Sequence, residues 1–227
     1  MPLWPLFTIF SQSDEGDPAS PALRDYGRVH ARPLTRVCVF CGSSVGHRQA
    51  YRDAASALAR EMAARNIGLV FGGGRVGLMG HLADALLAAG GHAIGVIPHF
   101  MIERELAHQG LPDLRIVQSM HERKELMASL SDAFIAMPGG FGTFEELCEA
   151  ITWTQLGLHR KRCGLLNVRG FYAPLLALVD RAVEEGFVRD DARGILVAHE
   201  DPASLLDILA APLQAPEPRW IRSPGQT

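Results

Sequence analysis

Between residues 36 and 209, short apolar runs alternate with longer alanine-rich or amphipathic stretches. No other feature narrows so far what this chain can fold into. The runs Arg36–Cys41, Ile67–Phe71, His92–Ile97, Arg115–Gln118, Asp132–Met137, Arg162–Val168 and Ile195–Ala198 read as strands. Most are continuously apolar rather than alternating, as in a parallel sheet covered on both faces. Helices are predicted over Tyr51–Arg65, Leu78–Ala89, Met120–Leu130, Thr143–Leu156, Phe171–Glu185 and Ala203–Leu209. Strand and helix in turn predict an α/β fold, a doubly wound, Rossmann-like parallel sheet with helices on both faces.

The chain has 227 residues, enough for one such domain, placed at 36–210. Residues 1–35, rich in Ser, Asp, Pro and Ala, read as an N-terminal extension expected to be disordered. Residues 211–227, with four prolines, read as a C-terminal tail. A net charge of −3 gives no general attraction to nucleic acid or to an anionic membrane, so neither is an expected partner. No apolar stretch approaches the roughly 20 residues of a membrane span. The apolar start lacks the basic flank of a signal peptide, so a cytoplasmic location is expected.

Cys38 and Cys41 have the C-x-x-C spacing, but an odd offset on a strand sends them to opposite faces. With no second such pair and no H-E-x-x-H, the four cysteines read as structural, and no metal is expected.

Ligands in doubly wound sheets bind beyond the carboxyl ends of the strands. Three loops there are rich in glycine or serine: 42–44, 72–77 and 138–142. Residues 72–77, Gly-Gly-Gly-Arg-Val-Gly, satisfy G-x-G-x-x-G. However, they follow the second strand, and the next strand ends in Ile97-Pro98-His99 without the ribose-binding carboxylate of a dinucleotide site. The glycines are therefore expected to let backbone N–H groups approach a single phosphate or ribose.

Residues 138–146, Pro-Gly-Gly-Phe-Gly-Thr-Phe-Glu-Glu, are more informative. They predict a tight turn into a helix starting near Thr143, whose N-terminal N–H groups and dipole suit a phosphate. Two readings of Glu146 stand side by side. Thr143-x-x-Glu146 has the spacing of a capping box. Alternatively, Glu145, Glu146, Glu149 and Thr152 lie opposite an apolar face of Phe144, Leu147, Cys148 and Ile151, beside the sugar of a bound nucleotide. Arg123 poses a similar choice. It shares the apolar stripe of Leu126, Met127 and Leu130, as a structural ion pair or as a guanidinium directed into the site.

The stretch Ser119-Met-His-Glu-Arg-Lys124, followed by Ser131-Asp-Ala-Phe-Ile-Ala-Met-Pro-Gly-Gly-Phe-Gly-Thr-Phe-Glu-Glu146, resembles the signature of the Lonely Guy (LOG) family. That signature is an M-x-x-R-K helix followed by P-G-G-x-G-T-x-x-E. Cys41-Gly-Ser-Ser44, Gly72-Gly-Gly74 with Gly77-Leu-Met-Gly80, Thr152-Trp-x-Gln-Leu-Gly157 and Gly164-Leu-Leu-Asn167 match as well. The resemblance runs from about residue 36 to about 200. It implies the same Rossmann-like fold and a cytokinin riboside 5′-monophosphate phosphoribohydrolase. Such an enzyme releases free base and ribose 5-phosphate, and bacterial members also cleave AMP.

By the same resemblance Arg123 and Glu146 are the catalytic pair, and Gly139, Gly140, Gly142 and Thr143 the phosphate loop. Lys124, Glu145, Thr152 and Glu105 are substrate contacts, with Ser43 and Gly73 in the other two loops. No cofactor is implied, and a homodimer is; the helix carrying Thr152-Trp153 and the segment Leu156–Arg160 are candidates for its interface. The name lysine decarboxylase, often attached to this family, requires pyridoxal phosphate on a lysine. The chain has only Lys124 and Lys161, and Lys161, in the run His-Arg-Lys-Arg162, is expected to be solvated. The alternatives are a non-catalytic nucleotide or molybdenum-cofactor carrier, and a nucleoside deoxyribosyltransferase.

Overall fold

A computed structural model describes residues 33–102 and 107–213. The expected disorder of the N-terminal extension, most of the tail, and Glu105 lie outside the described residues.

Seven strands form one parallel sheet: β1 (Arg36–Phe40), β2 (Gly68–Phe71), β3 (Ala93–Pro98), β4 (Asp113–Val117), β5 (Ala133–Ala136), β6 (Cys163–Leu166) and β7 (Leu196–His199). Their order is β4-β3-β2-β1-β5-β6-β7. The chain therefore builds outward from β1 to one edge, then returns to lay β5 against the other side of β1. That reversal is the topological switch point where doubly wound sheets bind ligands.

The helices are α1 (Gln49–Ala64), α2 (Gly77–Ala88), α3 (His99–Ile102), α4 (Met120–Ser129), α5 (Phe141–Gln155), α6 (Ala173–Glu184), α7 (Asp190–Arg193) and α8 (Pro202–Ala210). The two faces of the sheet carry separate cores. Val37, Val39 and Cys41 pack with Leu58 and Met62 of α1, Leu82 and Leu86 of α2, and Leu205 of α8. Cys38 and Phe40 pack on the other face with Met127 of α4, Leu147 of α5 and Tyr172. Cys38 and Cys41 are thus buried on opposite faces with free thiols, as strand parity requires.

Several expectations need adjustment. β3 runs one residue past the expected Ile97 and includes Pro98, and the one-turn helices α3 and α7 are too short to leave a period in the sequence. Leu34 packs on the core and Thr35 donates to Asp132 Oδ2 from its amide (2.8 Å) and its hydroxyl (2.7 Å), so the domain includes residues given to the extension. At the other end Leu213 is buried. Lys161 is not solvated: Nζ donates to Ala128 O at 2.5 Å and lies over the Phe134 ring. Cys148, assigned to the apolar face of α5, is exposed; the buried stripe is Thr143, Leu147, Ala150 and Thr154. Among the described residues no helix is long and apolar enough to cross a membrane.

Candidate active site

The site sits at the switch point, above the carboxyl ends of β1, β2 and β5. Its floor is made by loops that touch. Gly42 N–H donates to Pro138 O at 3.1 Å, tying the loop after β1 to the loop after β5. Gly77, at φ +67°, has a left-handed backbone, and a Cβ there would lie 2.2 Å from Ser43 C, so the loops after β1 and β2 also need this glycine to meet. Ser43 itself is exposed. Gly73 is buried, and its carbonyl accepts from His108 N–H at 2.9 Å.

The loop after β5 delivers a helix. Gly140 is the N-cap of α5 and supplies no side-chain cap, so Phe141, Gly142 and Thr143 are its first three residues. Their N–H groups have no intrahelical acceptor and meet the positive end of the helix dipole. Gly139 is a glycine for internal reasons: a Cβ there would fall 2.1 Å from Thr143 Oγ1. Gly140 and Gly142 differ. Neither has a positive φ, and a Cβ at either meets nothing within 4 Å. Nothing among the described residues requires glycine at these two positions, so the space above them is open.

This placement removes the capping-box reading of Glu146. Thr143 is the third residue of α5 and Glu146 the sixth, so they do not bracket the helix start. The chain does contain a box of that type, at Ser119-x-x-Glu122. Ser119 Oγ accepts from Glu122 N–H at 3.1 Å, and Glu122 Oε2 accepts from Gln118 N–H at 2.8 Å. The S-x-x-E spacing of Ser119 and Glu122 is the sequence trace of this cap.

Glu146 points inward. Its side chain is 12% exposed, and Oε1 lies 3.4 Å from Nη1 of Arg123, itself 8% exposed. Arg123 is fixed by the rest of its fork: Nε donates to Val96 O at 3.2 Å, and Nη1 also touches Met120 Sδ. Gly72 makes room for it, since a Cβ there would stand 1.9 Å from Arg123 Nη2. Burial raises the Glu146 carboxyl above the ordinary range, and the Arg123 charge only partly opposes this. At 3.4 Å the pair is longer than the 2.7–2.9 Å of a strong charge-assisted hydrogen bond, so the carboxylate keeps acceptor capacity for something else.

Around this pair lies a second layer. Lys124 Nζ reaches Glu145 Oε1 at 2.6 Å and Glu149 Oε2 at 2.9 Å, joining α4 to α5. Burial works against that ammonium charge, but the hydrogen bonds to the two carboxylates outweigh it and raise its pKa. Thr152 lies along the same side of α5 as Glu149, and its hydroxyl donates to Cys148 O at 2.7 Å. The structure thus brings together Arg123, Glu146, Lys124, Glu145 and the 139–143 loop, and places Ser43 and Gly73 in the adjoining loops. The space-making role of Gly72 and the capping by Ser119 and Glu122 were not foreseen.

A doubly wound sheet with a helix N-terminus and a buried guanidinium–carboxylate pair at its switch point defines a class of α/β protein with a seat for a small anionic ligand. The sequence profile of the family described as "Possible lysine decarboxylase" matches residues 79–209. The chain is 50% identical over 199 residues to a "Probable cytokinin riboside 5′-monophosphate phosphoribohydrolase" of Oryza sativa subsp. japonica, covering 87% of this chain and 88% of that one. It is 53% identical over 163 residues to a cytokinin riboside 5′-monophosphate phosphoribohydrolase of Arabidopsis thaliana, covering 72% and 76%. The chain belongs to this family, the LOG family. Among solved structures it is similar to the molybdenum cofactor carrier protein of Chlamydomonas reinhardtii, with TM-score 0.59, 19% identity and coverage of 78% of this chain and 98% of that one. That likeness speaks to the fold alone.

Proposed function

We propose that this chain hydrolyses the N-glycosidic bond of adenine-type nucleoside 5′-monophosphates, releasing free base and ribose 5-phosphate. The observation that carries the reading is the buried Arg123–Glu146 pair, 3.4 Å apart and adjoining the open glycines of the α5 N-terminus. A carrier needs an anion seat; it does not need a carboxylate held in a place where burial resists its charge. The family relatives, half identical in sequence, are named for this activity.

In the reaction the C1′–N9 bond breaks with its electron pair going to the base, and positive charge develops on the ribose ring. The α5 N-terminus holds the 5′-phosphate, and that binding energy fixes the reacting carbon. Glu146 presents negative charge to the oxocarbenium-like sugar. Water then bonds to C1′, and its proton balances the departing base. Arg123 keeps the carboxylate aimed. Lys124 and Glu145 form the rim of the same site. Cytokinin riboside monophosphates and AMP are both proposed substrates, because the α5 N-terminus and the Arg123–Glu146 pair would meet the phosphate and ribose that both share. A homodimer is proposed as the working form.

The test is incubation of purified protein with AMP and with isopentenyladenosine 5′-monophosphate, with chromatographic measurement of free base and ribose 5-phosphate. Stoichiometric release of both products is expected. Tight nucleotide binding without release would make the chain a carrier.

A further inference from the structure

The Gly164-Leu-Leu-Asn167 motif and the buried Tyr172 take no part in the site as described, yet both lie behind the phosphate loop. We propose that Asn167 and Tyr172 are positioning residues that set the height and direction of that loop by holding the carbonyl of Met137. The inference rests on reading residues 139–143 as the phosphate seat.

Tyr172 is 1% exposed and packed in an aromatic group, edge-on to Phe171 at 5.0 Å and to Phe144 at 6.4 Å. Such surroundings are served equally well by phenylalanine; the hydroxyl is the only atom they do not explain. It donates to Met137 O at 2.7 Å. That carbonyl is an orphan of the sheet. The β1–β5 pairing ends at Phe40 and Ala136, and the Gly42 N–H that would continue it to Met137 O goes to Pro138 O instead, at 3.1 Å. A buried carbonyl without a donor is costly, and the following residue, Pro138, brings no N–H of its own. The phenol replaces the missing ladder bond, so β5 can end and the loop can turn directly into α5.

The amide of Met137 is held as well, by its N–H to Phe40 O at 2.9 Å. Asn167 places the phenol. It follows β6, its N–H donates to His199 O at 2.9 Å, and its Oδ1 accepts from Tyr172 N–H at 2.7 Å. The chain from β6 through Asn167 and Tyr172 to Met137 ends two residues before Gly139.

The test compares wild type with Tyr172→Phe, which removes one oxygen, and with Asn167→Ala. Calorimetry measures the affinity of each for ribose 5-phosphate and for adenosine, alongside KM and kcat for AMP. The expected result is a loss of about tenfold in ribose 5-phosphate affinity, one hydrogen bond's worth of positioning. KM should rise in parallel, with adenosine affinity and kcat little changed. A purely structural role would move both ligands together, so equal losses for ribose 5-phosphate and adenosine overturn the proposal, as does an unchanged affinity. Tyr172→Phe decides the matter if Asn167→Ala fails to fold. A wild type that binds ribose 5-phosphate without cleaving AMP would sink the hydrolase reading and leave this inference to the affinity data. A wild type that binds no phosphate at all would overturn both.

Discussion

Glu146 carries its charge where desolvation opposes it, and the nearby cations, Arg123 first and then Lys124, only partly compensate. Groups held at such cost cluster at functional sites. The sign of the effect fixes a pH prediction. The carboxyl pKa is raised, and the ionised form is the one that faces an oxocarbenium ion. Activity is therefore lost as pH falls through that raised value. The acidic limb of kcat/KM should lie above the ordinary glutamate value of about 4.3. In Glu146→Gln the limb should vanish and turnover should drop by about 100-fold or more, while the amide carbonyl still accepts from the guanidinium and the melting temperature stays close to wild type. Near-normal turnover in this variant would remove Glu146 from the chemistry. Gly72→Ala tests the partner without touching its charge. The added methyl would stand 1.9 Å from Arg123 Nη2, the far end of a long side chain, so the guanidinium should move before the backbone does. A folded protein with strongly reduced activity is expected; full activity would show that the fork's position is not critical.

At the scale of the element, α5 and α4 start in opposite ways, and the difference was only half legible. Ser119 and Glu122 close the start of α4 with side chains, whereas α5 opens on Gly140 and leaves its first N–H groups bare. The sequence predicts this helix but puts its start at Thr143, two residues late, because a threonine followed by Glu146 imitates a cap. Gly142 lies in the first turn with φ below zero and nothing within 4 Å of a Cβ. Alanine there should stabilise the helix by up to about 1 kcal/mol, raising the melting temperature by about 2–4 °C. It should also place a methyl where the phosphate approaches. Higher thermal stability with a raised KM for AMP is the expected combination, and unchanged KM would show that the ligand does not come near this position. The same seat predicts that adenosine is cleaved far more slowly than AMP. Equal turnover, followed by release of adenine from each, would refute the anchoring role of the α5 N-terminus.

For the molecule as a whole, the parallel sheet was legible because strands covered on both faces carry continuous apolar runs, as Val37 to Cys41 do. The order of the strands was not, because the pairing of β1 with β5 joins residues about a hundred positions apart and leaves no local trace. Lys161 was misread for a related reason. Its neighbours in sequence are basic, but its neighbours in space are the Phe134 ring and the Ala128 carbonyl. That region bears on the state of assembly. A cleft of about 390 Å³ lies there, lined by His121, Glu125, Trp153, Leu158, His159 and Lys161. Of the lining residues Leu158 is 67% exposed, and Leu156, two residues before it, is 43% exposed. His159 accepts at Nδ1 from Lys161 N–H, which puts its proton on Nε2, a buried donor with no acceptor among the described residues. Burial, reinforced by Lys161, lowers the ring's pKa to about 4, so the ring is neutral at pH 7 and can rest against a second copy without bringing a charge. A second copy laid over this cleft would cover the exposed Leu158. Sedimentation velocity at micromolar concentration should give a dimer, and Leu158→Glu, which places a charge in the covered surface, should give a folded monomer. A monomeric wild type would refute the dimer, and a Leu158→Glu protein that remains dimeric would move the interface to another face of the molecule.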